Sequence, residues 1–237
     1  MLLLSLDTST TVCSVALHRD NVLLACYELH TERTASARLT TLIQDVVAHT
    51  GHQMSDLDAV AVAKGPGSYT GLRIGVSTAK GLCFALNKPL LAVNTLQAMA
   101  AQIHSSLIRF GGPIPHSSFL LCPMLDARRM EVYCALYDVA GEELQPTAAV
   151  ILDEFSFADV LAERPVLFFG DGAAKARPLL GGHPNAHFLD VAITPSARTV
   201  GQLAARAFTE GCFEDVATFE PFYLKEFVGT RPRPAAV

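Results

Sequence analysis

A glycine-rich run between a short apolar strand and a long helical pattern constrains the fold of this 237-residue chain more than any other feature. Residues 64–75 read Lys-Gly-Pro-Gly-Ser-Tyr-Thr-Gly-Leu-Arg-Ile-Gly and follow the apolar segment Ala59–Ala63. Gly65 and Gly67 flank Pro66, so the chain must turn sharply there. The run therefore predicts a strand, a tight turn and a helix in succession, which is a building block of α/β proteins.

Two functions fit this turn and its helix. Free N–H groups at a glycine-rich helix N-terminus often bind phosphate, and Ser68 or Thr70 can cap the helix. The helix also contains Gly71, Gly75 and Gly81, each of which costs about 1 kcal/mol relative to alanine, so we expect a packing reason. Gly71 and Gly75 leave a flat strip that the chain's own core or a partner's helix could cover. Spacing alone leaves both alternatives open.

Composition predicts a folded protein that does not bind nucleic acid by itself. Hydrophobic residues make up 50% of the chain and charged residues 17%, and the formal net charge is −5. Such an acidic chain lacks the basic footprint that nucleic-acid binding requires. No apolar run approaches the ~20 residues needed to span a bilayer, and the N-terminus has no basic region typical of a signal peptide. We therefore expect a cytoplasmic protein without membrane contact.

The cysteine and histidine patterns predict neither a metal site nor a disulfide framework. No C-x-x-C pair occurs among the six cysteines, and most lie in apolar segments, as reduced core cysteines do. His183 and His187 are four residues apart, but they flank a loop sequence and so do not share a helix face. There is also no G-x-S-x-G elbow and no Walker lysine pattern. We expect no metal and no cofactor.

The hydrophobic pattern divides the chain into two α/β halves. In the first half it predicts the order β-β-β-α-β-α-β-α, with strands at Leu2–Leu6, Val12–Leu17, Val22–Leu29, Ala59–Ala63 and Leu90–Val93, and helices around 39–47, 69–86 and Thr95–Leu107. A glycine- and proline-rich break follows at 110–117. In the second half it predicts strands at Phe119–Leu125, Glu131–Tyr137 and Val166–Phe169, and helices near Phe155–Ala162 and from Thr194 to Gly211.

Each half begins with an apolar strand that ends in an aspartate, Asp7 in the first and Asp126 in the second. This repetition predicts two ribonuclease-H-like lobes with mixed sheets flanked by helices, the architecture of actin, Hsp70 and sugar kinases. In that architecture these aspartates face the cleft between the lobes, near phosphate or metal. We expect an N-terminal lobe at 1–109, a C-terminal lobe at 118–194, a helix at 195–211 that packs back on the first lobe, and an extension and tail at 212–237.

Two turns are candidates for a vestigial nucleotide site. Asp7 and Thr8 begin a hydroxyl-rich turn that could contact phosphate, although hairpin geometry explains the same residues. The run Gly170-Asp171-Gly172 follows a strand at the place where two-lobed ATPases pack adenosine, and a structural turn explains it equally well. After Asp126 the sequence continues Ala-Arg-Arg, without the small residues that let backbone approach phosphate. The second phosphate loop is therefore degraded.

Several motifs in a fixed order resemble one protein family. They are Leu6-Asp7-Thr8-Ser9 with Cys13-Ser14-Val15-Ala16-Leu17, the glycine run Gly65–Gly75, Asp126-Ala127-Arg128 with Glu131-Val132-Tyr133, and Pro221-x-Tyr223-Leu224. Together they closely resemble the bacterial tRNA threonylcarbamoyladenosine biosynthesis family TsaB, also called YeaZ, of the actin-like and Hsp70-like ATPase superfamily. The resemblance covers essentially the whole chain, and the glycine run is its most specific part.

The resemblance implies a subunit without catalytic activity of its own. Proteins of this family pair with the related catalytic subunit TsaD and the ATPase TsaE, and the complex transfers a threonylcarbamoyl group to adenosine in tRNA. The catalytic relative carries a His-x-x-x-His metal pair where this chain has Thr95 and Met99. Those side chains cannot replace imidazole at a catalytic metal. The chain departs from the family at Ala35-Ser36-Ala37, where many members have His-Ser-Glu.

The resemblance also implies that the helix behind the glycine run forms the interface with TsaD, or a homodimer when the protein is alone. The candidate interface residues are Tyr69, Leu72, Arg73, Ile74, Gly75, Val76, Ser77 and Lys80. Contact with tRNA is expected only through the complex. Two other functions remain as alternatives: an independent nucleotide-binding ATPase or kinase, suggested by Asp7, Asp126 and the turn at 170–172, and a peptidase, for which no nucleophile and base motif is found.

Overall fold

The computed structural model describes residues 1–30, 35–110 and 119–225, and for 35, 36 and 104–110 the backbone only. The predicted break at 110–117, apart from its first residue, and the tail from Thr230 to Val237 lie outside the described residues, as do the side chains of Ala35 and Ser36. The described part consists of two five-stranded mixed sheets and six α-helices. The predicted fold class, two ribonuclease-H-like lobes, is confirmed.

The first sheet contains the strands of the first half of the chain, β1 (Leu2–Asp7), β2 (Cys13–Arg19), β3 (Val22–Leu29), β4 (Ala59–Gly65) and β5 (Leu90–Asn94). Their order is β3-β2-β1-β4-β5, with β1, β2 and β3 antiparallel to one another in turn and with β1, β4 and β5 parallel. The carboxyl ends of the three parallel strands therefore meet at one edge of the sheet, where Asp7, Gly65 and Asn94 lie.

The second sheet repeats this arrangement with β6 (Leu120–Asp126), β7 (Glu131–Tyr137), β8 (Glu143–Ile151), β9 (Val166–Phe169) and β10 (Ala186–Phe188). The order is β10-β9-β6-β7-β8, with β6, β9 and β10 parallel. Numbered within each lobe, both sheets have the order 3-2-1-4-5. Asp126 ends β6 as Asp7 ends β1, so the duplication predicted from these two aspartates is confirmed.

The helices cover both faces of both sheets. They are α1 (Ala35–His49), α2 (Tyr69–Leu86), α3 (Thr95–Phe110), α4 (Ala158–Glu163), α5 (Ala173–Leu180) and α6 (Ala197–Glu210). One face of the first sheet packs against α1 and α2, and the other packs against α6 through Val200 and Ala204. The second sheet packs against α4 and α5 on one face and against α3 on the other.

The two inner helices, α3 and α6, lie between the sheets and contact each other. Although α3 follows the first sheet in sequence and falls within the predicted N-terminal lobe, Leu96, Met99 and Ile103 pack on the second sheet. Conversely, α6 follows the second sheet in sequence but packs on the first. Each lobe is therefore completed by a helix from the other half of the chain.

Three elements of the second half were not predicted, and each carries a weak sequence signal. Pro146 lies within β8, and proline disfavours a strand except at an edge, which is where β8 lies. Pro178 lies within α5, which spans only eight residues. The strand β10 has only three residues, too few for a periodic pattern.

Candidate functional site

The glycine strip of α2 is covered by the chain's own turn after β1. A Cβ built on Gly71 would lie 2.0 Å from the backbone oxygen of Thr8, and one built on Gly75 would lie 2.4 Å from Thr8 Oγ1. Thr8 Oγ1 also donates a hydrogen bond to the backbone oxygen of Gly71 at 2.7 Å. Of the two alternatives left open by spacing, internal packing therefore explains these two glycines.

The start of α2 is held against the same turn. Ser68 is the N-cap, and its hydroxyl accepts a hydrogen bond from the backbone N–H of Gly71 at 3.3 Å. The backbone N–H of Ser68 donates to the oxygen of Ser9 at 2.6 Å. A Cβ on Gly67 would lie 2.3 Å from that same oxygen, so the loop packs directly on the β1–β2 turn.

These contacts bury part of α2, so fewer of its side chains are accessible to a partner. Leu72 and Val76 are only 1% and 3% exposed and face the core, and Gly75 is buried against Thr8. Of the remaining predicted interface residues, Arg73 and Ser77 are exposed and Tyr69, Ile74 and Lys80 are half-buried. Leu72, Gly75 and Val76 therefore expose little surface of their own, and their part in an interface stays a prediction.

The sequence reasoning missed the most exposed apolar side chain of this helix. Phe84 is 85% exposed, one turn beyond Gly81, and a Cβ on Gly81 would have no neighbour within 4 Å. Arg73, Ser77, Gly81 and Phe84 follow one another at helical spacing and form the outward face of α2. The signal was present in the sequence as a phenylalanine outside the apolar stripe, but its exposure depends on how the helix packs.

A groove of about 370 Å³ lies beside this helix, between α2 and the segment after α6. The Tyr69 and Tyr223 rings pack against each other at a centroid distance of 4.8 Å, tilted by 31°, and the Arg73 guanidinium lies 5.4 Å from the centre of the Tyr69 ring. Lys80 Nζ donates hydrogen bonds to the backbone oxygens of Ala217 at 3.2 Å and Phe219 at 2.8 Å. The side of the groove opposite α2 is formed by the segment after α6. Spacing in the sequence could not reveal it, because that segment lies about 140 residues beyond α2.

Asp7, a candidate nucleotide contact, is buried. It is 1% exposed, and its Oδ1 accepts hydrogen bonds from the backbone N–H of Ser9 at 2.8 Å and from Ser9 Oγ at 2.7 Å. Removal from water raises the pKa of Asp7 to about 6, despite those hydrogen bonds, because burial disfavours the charged form. Thr8, the second candidate, is 1% exposed and bonded to α2, so both side chains serve the turn.

The corresponding turn of the second lobe is filled by the chain's own charged groups. Asp126 Oδ1 accepts hydrogen bonds from Lys175 Nζ at 2.6 Å and from the backbone N–H of Arg128 at 2.5 Å. Partial burial opposes ionisation of Asp126, but these hydrogen bonds outweigh it and lower the pKa of this carboxyl group. Arg128 and Arg129 have φ angles of 67° and 51°, so two exposed arginines form the left-handed tip of this hairpin.

The second candidate turn, at residues 170–172, connects the end of β9 to the end of β6. Asp171 Oδ1 accepts a hydrogen bond from the backbone N–H of Asp126 at 2.9 Å, and partial removal of the carboxyl group from water raises the pKa of Asp171. A Cβ on Gly170 would lie 2.3 Å from the oxygen of Met124, and one on Gly172 would lie 2.9 Å from the carbonyl carbon of Leu125. The glycines therefore allow two backbones to approach closely, and a nucleotide contact here stays a prediction.

Thr95 and Met99, the positions where the resemblance implies metal histidines in the catalytic relative, are part of the core. Thr95 and Met99 are both 0% exposed at the start of α3. Across residues 1–30, 35–110 and 119–225, no group of three or more histidine, cysteine, aspartate and glutamate side chains is arranged to hold a metal ion. Over the same residues, no helix has the length and apolar character needed to cross a membrane.

Comparison with known proteins places the chain beside proteins of tRNA modification. The family model described as "TsaD: tRNA N6-adenosine threonylcarbamoyltransferase" matches residues 29–231. The tRNA threonylcarbamoyladenosine biosynthesis protein TsaB of Escherichia coli K12 is 31% identical over 99% of both chains. The protein of the same name from Bacillus subtilis 168 is 34% identical over 76% of this chain and 75% of its own.

Two solved structures from Pseudomonas aeruginosa have the same fold over nearly the whole chain. One, described as an uncharacterized protein with similarity to peptidase YEAZ, is 29% identical with a TM-score of 0.79. The other, described as YeaZ, is 30% identical with a TM-score of 0.75. Each alignment covers 94% of this chain and 99% of the solved chain.

Proposed function

The chain belongs to the TsaB family of tRNA threonylcarbamoyladenosine biosynthesis proteins, and we propose that it supports threonylcarbamoyl transfer to tRNA adenosine as a non-catalytic subunit. The observation that carries the role is the match to the E. coli protein over 99% of both chains. Buried Thr95 and Met99, at the positions of the relative's metal histidines, support the non-catalytic part. The proposed partners are the catalytic subunit TsaD and the ATPase TsaE, in the cytoplasm, with tRNA contacted through the complex.

The proposed docking surface is the outward face of α2. Arg73 and Ser77 are exposed along it, and Phe84 places an 85% exposed aromatic ring at its end. Tyr69, Ile74 and Lys80 lie half-buried along the flanks of the same helix. A stable contact of about 800 Å² per partner would cover this face. An isolated chain could bury the same residues in a homodimer.

Reconstitution tests the proposed role directly. Threonylcarbamoyladenosine formation on tRNA is measured with TsaD, TsaE and the threonylcarbamoyl donor, with and without this chain. We expect product only when the chain is present. Equal product without it would contradict a supporting role, and product from the chain without TsaD would contradict the non-catalytic assignment.

A pair of substitutions tests the docking surface. We expect Phe84→Glu to weaken binding to TsaD at least tenfold, because a charge replaces an exposed ring that the partner would bury. Val191→Glu is the matched control, since Val191 is 69% exposed but lies between β10 and α6. Calorimetric titration with TsaD measures both. Unchanged affinity for Phe84→Glu, or equal loss for the control, would show that α2 is not the docking surface.

A further inference from the structure

The segment that follows α6 runs back over the first lobe. The backbone N–H of Glu214 donates to the oxygen of Leu90, in β5, at 2.9 Å. Val216 and Phe219 pack against the core beneath α1 and α2, and Lys80 Nζ donates to two carbonyl oxygens of the segment. Backbone, side-chain and apolar contacts therefore all attach residues 214–219 to the first lobe.

The same segment ends on the second lobe. Lys225 Nζ donates a hydrogen bond to the oxygen of Ala127 at 3.3 Å and forms an ion pair with the carboxylate of Glu131. The ammonium group also lies 5.6 Å from the centre of the Tyr133 ring. All three contacts are made to the β6–β7 hairpin. The side chains of Lys225 and Glu131 are each about two-thirds buried or more.

Between these two attachments the segment crosses from one set of strand ends to the other. The backbone N–H of Phe222 donates to the oxygen of Lys64 at 2.7 Å, near the carboxyl end of β4. A Cβ on Gly65 would lie 2.8 Å from the oxygen of Phe222, so the two backbones are in close contact. Three residues later, Lys225 reaches Ala127, the residue after β6. The segment thus spans from the carboxyl end of β4 in the first sheet to the loop after β6 in the second.

We propose that residues 214–225 act as a clasp that fixes the arrangement of the two lobes. The inner helices α3 and α6 already hold the sheets together through packed side chains. If the packing of these two helices were all that joined the lobes, the lobes could rotate about it, as in hinge motions. Asn94 Nδ2, at the end of β5, also donates a hydrogen bond to Thr147 Oγ1 in β8 at 2.9 Å. The clasp adds a further connection at the loops after β4 and β6, and connections at separate places resist that rotation. Lys80 and Lys225 are its positioning residues, one at each lobe.

Residual dipolar couplings of backbone amides in the full-length protein test the clasp, because they report the relative orientation of the lobes. We expect one alignment tensor to fit both lobes of the wild type. Lys225→Met keeps the aliphatic stem but removes the charge and the donors, and we expect each lobe then to require its own tensor. Lys80→Met removes two hydrogen bonds to the first lobe but leaves the backbone bonds of Glu214 and Phe222, so we expect a smaller change in lobe orientation.

Lys175→Met is the matched control. Lys175 bonds to Asp126 and to the backbone oxygen of Glu131, beside the clasp, but all these partners lie in the second lobe. We expect one tensor for this variant, with couplings inside each lobe unchanged. One common tensor with wild-type orientation in both Lys225→Met and Lys80→Met would overturn the proposal. Two tensors in Lys175→Met would also overturn it, since loss of any lysine there would then loosen the lobes.

Discussion

Within α2, Gly75 and Gly81 lie in different surroundings. Gly75 lies against Thr8, where a methyl group has no room, whereas Gly81 faces open space. Helix propensity penalises both by about 1 kcal/mol relative to alanine. The cost at Gly75 is offset by close packing of the β1–β2 turn on the helix. At Gly81 nothing in the described chain offsets it.

Alanine substitution at these two glycines should change stability in opposite directions. Gly81→Ala is expected to raise the free energy of unfolding by about 0.5–1 kcal/mol, because it improves helix propensity without a clash. Gly75→Ala is expected to lower it by about 1–3 kcal/mol, because the new Cβ meets Thr8 Oγ1 at 2.4 Å. Urea unfolding of each variant measures the difference. A destabilising Gly81→Ala would show that this glycine has an internal role.

Asp7 makes stability depend on pH through its burial. Its pKa is about 6 in the folded protein against an ordinary value of 3.8, so the folded state binds more protons between these values. Stability linked to Asp7 is therefore fully present below about pH 3.8 and is lost as the pH rises through 6. The shift corresponds to about 3 kcal/mol. Burial lowers the pKa of His18, which acts in the opposite direction, with stability lost as the pH falls below about 6.5.

Comparing the wild type with Asp7→Asn isolates the Asp7 contribution, since His18 is present in both. Asparagine can still accept the two hydrogen bonds from Ser9, but it does not ionise. We expect the stability of Asp7→Asn relative to wild type to increase by about 2–3 kcal/mol between pH 4 and pH 7. Denaturant unfolding at several pH values measures this. A difference that stays constant with pH would contradict a raised pKa at Asp7.

At the scale of elements, the sequence predicted those helices and strands whose apolar residues repeat regularly. In β1, β2 and β4 nearly every residue is buried, so continuous apolar runs identified them. In β8 all nine residues are exposed or half-buried and Pro146 interrupts the pattern, so the period-2 signal was absent. Periodicity reports burial, and an edge strand with little burial therefore leaves little trace in a sequence.

The candidate site was predictable from the sequence only where it depends on residues that are close together along the chain. The N-cap Ser68 and the core stripe containing Leu72 could be found from spacing within α2. Gly71 packs against Thr8, and Lys80 bonds to the backbone oxygen of Phe219. Both partners are far from α2 along the chain. Which face of α2 remains free depends on these distant contacts. Spacing alone could therefore not decide between an internal strip and a docking surface.

At the scale of the whole molecule, the two halves of the chain exchange helices. The first sheet is covered on one face by α6, which the second half supplies, and the second sheet is covered by α3 from the first half. Removing either half would expose one face of the remaining sheet. The lobes therefore share one topology, and each depends on the other half of the chain for its core.

This exchange predicts that residues 1–110 do not fold alone. Without α6, the buried side chains of Leu3, Leu91 and Val93 would face water, at about 2 kcal/mol each. The apolar face of α3 would lose the second sheet as well. The total approaches the 5–15 kcal/mol by which domains are stable. We expect the fragment to show no cooperative thermal unfolding by circular dichroism, and to gain it when mixed with residues 111–237. Cooperative unfolding of residues 1–110 by themselves would show that the first lobe is an independent domain.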